Sequence, residues 1–151
     1  RDQPVRADDR HGQRRAESAM TIDINTPVGA DGVIDLDPVF GLVSGRTALV
    51  QALARRITTE RGTLAWIGDD PEYGDDVRAF LGDDIETRQS FVVATRVERE
   101  LLRDERVRGA RVAASIASGR LTIAAQVSDA DGPFRFTIAV TAVSVETLKV
   151  F

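Results

Sequence analysis

From Val112 onward the apolar residues of this chain recur with a period of two. Val112, Ala114 and Ile116 alternate with other residues, Ser118-Gly119 reads as a turn, Leu121, Ile123, Ala125 and Val127 alternate again, and Ala130-Asp131-Gly132 reads as a second turn. Such runs place every second side chain on one face of a strand, so the stretch predicts an antiparallel meander with one buried face. The last run, Phe134, Phe136, Ile138 and Val140, changes phase to Val143 and Val145. A one-residue slip exchanges the faces of a strand, so the change predicts a bulge, a bend or a strand leaving its own sheet near Thr141 and Ala142. Taken as one strand, Phe134 to Lys149 far exceeds the usual length of about five or six residues. The expectation is a three-stranded sheet whose last strand is completed by something outside it.

Upstream the spacing is helical. Arg46 to Thr58 sets Leu49, Val50, Leu53 and Ile57 on one face, with Arg46, Gln51, Arg55 and Arg56 elsewhere. Asp75 or Asp76 caps a short second helix carrying Val77, Phe80 and Leu81, which Gly82 stops. Asp83 or Asp84 opens a third helix to about Arg103, with Phe91, Ala94, Val97 and Leu101 as its stripe. Between the first two helices lie Thr58-Thr59-Glu60-Arg61-Gly62-Thr63-Leu64 and Asp70-Pro71-Glu72-Tyr73-Gly74-Asp75-Asp76-Val77-Arg78. Each holds a reversal, and Gly62 and Gly74 are expected where the backbone needs positive φ or close approach. The fold class is α+β: an extended N-terminal arm, three helices, then a small antiparallel β-meander.

Residues 1–19 are polar, arginine-rich and without periodic apolar positions, the profile of a disordered or non-native leader. Met20 is the only methionine and marks a change of texture, so it is the expected natural start. Residues 20–44 read as an extended arm broken by Pro27, Gly29, Gly32 and Pro38, with Ile34 and Leu36 alternating against Asp35 and Asp37. The arm either packs on its own domain or docks on a partner. Residues 45–151 form a single domain, since 151 residues support one sizeable core.

A net charge of −4 argues against a nucleic-acid surface, and no run reaches the roughly 18 apolar residues that span a bilayer. With no cysteine there are neither disulfides nor thiolate metal sites, and the lone histidine, His11, lies in the leader. Paired carboxylates for glycoside hydrolysis could come only from Asp69, Asp70, Glu72, Asp75, Asp76, Asp83, Asp84 and Glu86. These crowd into turns and helix starts, where acids serve as caps, so no catalytic residue is assigned. No calcium-loop spacing, phosphate-binding glycine loop or dinucleotide fingerprint occurs, so no metal or cofactor is expected. The two reversals make residues 58–78 a shaped elbow, and Trp66 and Tyr73, in or beside it, either pack beneath it or anchor an interface.

The elbow, the helix from Arg46 to Thr58 before it and the Leu101-Leu102-Arg103-Asp104-Glu105-Arg106-Val107 transition together resemble the baseplate wedge family of contractile phage tails and related injection machines. That family is also labelled tail lysozyme-like or sheath-initiator. The resemblance covers about the last two thirds of the chain. Its Glu-Pro-Arg signature is absent, since the corresponding region reads Leu81-Gly82-Asp83-Asp84-Ile85-Glu86, and the docking partner is left open. The resemblance implies a structural baseplate component, assembled in the cytoplasm in several copies per particle, that contacts other wedge subunits and joins the sheath by strand sharing. The family's lysozyme label is not expected to mean activity here, because the candidate acids sit at caps and turns, and charge and hydropathy point to no nucleic-acid and no membrane partner. On this reading the partner-binding residues are Trp66, Asp70, Pro71, Glu72, Tyr73, Gly74, Phe134, Phe136, Val143, Val145 and Leu148. A peptidoglycan-cleaving tail lysozyme and a self-contained binding module are the alternatives.

Overall fold

A computed structural model describes residues 22–26, 36, 39–67, 70–81, 88–142 and 145–151. The leader, most of residues 27–38, and Asp69, Asp83, Asp84, Glu86 and Val143 lie outside the described residues.

Strands β3 (Gly109–Ala117), β4 (Arg120–Asp129), β5 (Gly132–Val140) and β6 (Val145–Val150) form an antiparallel sheet in that order. The first hairpin turns at Ser118 and Gly119, both with positive φ, the conformation a tight two-residue hairpin needs to match strand twist. The second closes where Asp129 pairs with Gly132. Two helices, α1 (Gly45–Thr58) and α2 (Arg88–Leu101), share a core with one face of the sheet. There Leu53, Ile57, Val93, Val97 and Leu101 meet Leu121, Ile123, Val127, Phe136 and Ile138. The period-two positions read from sequence on β4 and β5 are the buried ones, as the alternation requires.

The phase change proves to be a reversal. β5 ends at Val140, and β6 returns beside it with Val145 opposite Val140 and Val150 opposite Phe136. The overlong run is therefore two antiparallel strands, and the sheet has four strands instead of three. A register shift between Thr137 and Ile138 lets β6 keep this pairing.

The helices differ from expectation in two respects. The segment after Asp76 is a single 3-10 turn, Val77–Phe80, capped by the Asp76 carboxylate accepting from the Arg78 amide, so the described residues hold two α-helices. On α2 the buried stripe is Val93, Val97, Glu100 and Leu101, and Phe91, expected in the core, is 77% exposed. Both sets have helical spacing; contact with β3 and α1 selects the first.

The arm is not simply extended. Strand β1 (Ile22–Ile24) pairs antiparallel with β2 (Leu42–Ser44), in a small sheet of its own. It lies on α1 through polar contacts: Arg55 pairs with Asp23 and donates to Thr26 Oγ1, while Gln51 bonds Asn25 Oδ1 and the Thr26 amide. Its described ends thus pack on their own domain.

Candidate interaction surfaces

The elbow serves first to close α1. A helix leaves its last four carbonyls unpaired, and three of these find partners from the elbow. Arg55 O accepts from Thr59 Oγ1 at 2.7 Å, Arg56 O from the Asp75 amide at 3.2 Å, and Thr58 O from Arg78 Nη2 at 2.9 Å. The return path brings Gly74 against α1 with φ of 96°, where an added Cβ would stand 2.3 Å from Thr59 O. Gly62 has a φ of 85° but open space around it, so it is required for its conformation alone.

Beneath the elbow lies Glu100, only 1% exposed. Its Oε1 accepts from Arg56 Nε at 2.9 Å and the Gly74 amide at 3.2 Å, and its Oε2 from Arg61 Nη2 at 3.2 Å. Arg103 stands 3.7 Å away, and Arg56 also covers the Tyr73 ring at 4.6 Å. Burial pushes the Tyr73 hydroxyl pKa up, against the opposing fields of Arg55 and Arg56. A second buried carboxylate, Asp75, is held by both Nε and Nη2 of Arg96, whose guanidinium lies 4.9 Å over the Phe80 ring. That hydrogen bonding raises the Arg96 pKa against the cost of burial. Asp75 and Glu100 share the wall of a recess of about 270 Å³ with Arg61, Arg96, Arg99 and Arg103.

The second surface is the arm. Side chains two apart on a strand share a face, so Ile22 and Ile24, with Leu42 opposite Ile24, stand together on one face of the β1–β2 sheet, away from Asp23. All three are exposed, Leu42 by 70%, and Val39 and Phe40 next to β2 are exposed as well. Phe40 adopts a φ of 51°, unusual for a bulky residue. One face of the arm is thus tied to α1 by polar groups while the other is apolar and bare.

Of the predicted partner residues, the structure gathers Asp70, Glu72, Tyr73 and Gly74 around Glu100 and its arginines, with Pro71 exposed at the turn between them. Asp70 Oδ1 accepts from the Glu72 amide, closing that turn. Trp66 is 82% exposed and does not pack beneath the elbow. Phe134, Phe136 and Val145 are buried in this chain's own core, the two rings 6.2 Å apart, so they are core residues and not a docking face. Leu148 contributes its backbone to β6. Among the acids, Asp76 is a cap as expected, but Asp75 is a buried ion-pair partner. Glu100 went unnoticed in the sequence, although it shares the Val93–Val97 stripe; a carboxylate on a buried stripe flanked by Arg96, Arg99 and Arg103 is the signal that could have found it. Among the described residues no group of three or more acidic or histidine side chains could hold a metal, and no helix is long and apolar enough to cross a membrane.

Comparison of the chain with protein-family models and with curated proteins gives no match.

Proposed function

We propose that this chain is a structural assembly protein, a baseplate component of a contractile phage tail or phage-tail-like injection particle. It is present in several copies, assembled in the cytoplasm and in contact with wedge neighbours and sheath. The two-faced arm carries the proposal: polar bonds fix β1–β2 to α1, leaving Ile22, Ile24 and Leu42 presented outward on a sheet too small to bury them. An apolar face exposed to water marks a protein–protein contact. Transfer of an exposed Leu or Ile into an interface stabilises it by about 1.5–3 kcal/mol for full burial, so three such residues supply several kcal/mol.

Strand sharing with the sheath takes a form different from the one the sequence suggested. β5 and β6 pair with each other within this domain, so a sheath strand would add at a free edge. At the other edge, β3 is partly closed, because Glu98 on α2 accepts from the Val112 amide at 3.3 Å and pairs with Arg111. Among the described residues β6 is paired on one side only, by β5, and is the edge proposed for addition.

The test replaces Ile24 and Leu42 together by Ser. The expected outcome is near-normal stability of the isolated protein and loss of incorporation into particles. Normal particles containing the variant would remove the proposal.

One observation favours a peptidoglycan-cleaving enzyme instead: two buried carboxylates, Asp75 and Glu100, on one recess. Against it stand their partners. Both oxygens of each already accept from guanidinium donors or the Gly74 amide, leaving little for a sugar oxygen or an attacking water. Clearing of a cell-wall suspension by the protein, abolished by Glu100→Gln in a folded variant, would establish the enzyme.

A further inference from the structure

The recess beside the elbow holds more hydrogen-bond donors than its own acids can use. Arg61, Arg96, Arg99 and Arg103 line it, against Asp75 and Glu100. Each guanidinium carries five N–H groups in a planar fork. Arg96 directs Nε and Nη2 to Asp75, which occupies both carboxylate oxygens. Arg61 spends Nη1 on Glu72 and Nη2 on Glu100, and Arg103 is taken up by the Glu72 carbonyl at Nη1, the Glu72 carboxylate at Nη2 and the nearby Glu100 carboxylate at Nε. Arg99 has no carboxylate within ion-pair distance among the described residues, and its whole fork is left over. Arg96, Arg99 and Arg103 also follow one another at i+3 and i+4 on α2 and its final turn. Like charges at that spacing repel; Arg96 is offset by Asp75 and Arg103 by Glu72 and Glu100, while Arg99 between them has no acid to offset it.

We infer that this recess binds an oxyanion, a phosphate or a carboxylate, through Arg99 with the remaining donors of Arg61 and Arg96. Three features suit it to that ligand. The guanidiniums of Arg61, Arg96 and Arg103 are already fixed, by carboxylates, by a backbone carbonyl and by the Phe80 ring, so little side-chain freedom is lost on binding. Planar forks match the geometry of phosphate and carboxylate oxygens. A volume of about 270 Å³ admits a phosphate or the head of an acidic side chain. The site is independent of the assembly role proposed above.

The experiment titrates the full chain at low ionic strength with inorganic phosphate in one arm and an end-blocked tetraglutamate peptide in the other, reading binding by calorimetry and by ligand-induced rise in melting temperature. Arg99→Gln removes an exposed side chain with no ion pair, and its unliganded melting curve reports whether the fold is kept. Arg108→Gln removes the same charge from an exposed position outside the recess. Binding in either arm that falls about tenfold or more in Arg99→Gln, the size of one lost charge-assisted contact, and is unchanged in Arg108→Gln supports the site. The arm that responds identifies the source: phosphate a small anion, the peptide an acidic protein segment. Failure of both ligands to bind overturns the inference. So does equal weakening by the two substitutions, which reduces the effect to general charge.

Discussion

Replacing Gly74 by Ala separates two effects that the elbow superimposes. At φ of 96° any side chain is strained, and the new Cβ would sit 2.3 Å from Thr59 O and 3.1 Å from Thr59 C. The neighbour is backbone, and that same stretch closes the end of α1 through Thr59 Oγ1, so it cannot withdraw cheaply. Conformational strain for a non-glycine residue at positive φ costs about 1–2 kcal/mol. Overpacking adds about 1–3 kcal/mol, giving roughly 2–5 kcal/mol in all. Gly62→Ala is the matched control, with φ of 85° and nothing within 4 Å, so it incurs the strain alone, about 1–2 kcal/mol. Urea unfolding of the two variants and the parent, compared at equal m, reads the difference as a shift in midpoint. The expected order is parent, Gly62→Ala, then Gly74→Ala, with at least about 1 kcal/mol between the variants. Equal midpoints for the two variants would show that close approach to Thr59 contributes nothing, and would refute the account of how the elbow packs on α1.

Glu100→Gln keeps the shape but removes the charge that Arg56 and Arg61 share, and should cost about 3–5 kcal/mol, the range for breaking a buried pair, in the same unfolding assay. Tyr73 is the only tyrosine, so phenolate absorbance titrates it alone; its midpoint should lie above the ordinary value of about 10, and stability should fall as pH rises through that midpoint, an effect absent in Tyr73→Phe. Burial works to raise the Asp104 pKa, but hydrogen bonds from the Arg106 side chain and amide and its charge outweigh this and hold it low. The stability this gives is therefore complete above the unfolded carboxylate value near 4 and is lost as pH falls through the lower folded value, so Asp104→Asn should flatten the acid limb of a stability–pH curve.

The helix from Arg46, the two hairpin turns, the inward positions of β4 and β5 and the positive φ at Gly62 and Gly74 were legible in the sequence. Each depends on residues close in the chain: period, turn chemistry and the absence of a Cβ. The phase change after Val140 was visible, but not that the chain reverses there, because one phase shift is shared by a bulge, a bend and a turn, and pairing of Val145 with Val140 decides between them. The buried face of α2 was likewise open between two helical stripes until β3 and α1 covered Val93 and Val97 and left Phe91 in water. The elbow could be drawn from sequence, but not the carboxylate under it. Glu100 lies 26 residues beyond Gly74 and 44 beyond Arg56, and only tertiary packing brings them together. The apolar face of the arm has the same origin. Sequence supplied Ile22, Ile24 and Leu42, but pairing of β1 with β2, and the polar grip of Gln51 and Arg55 on one side, set them facing outward.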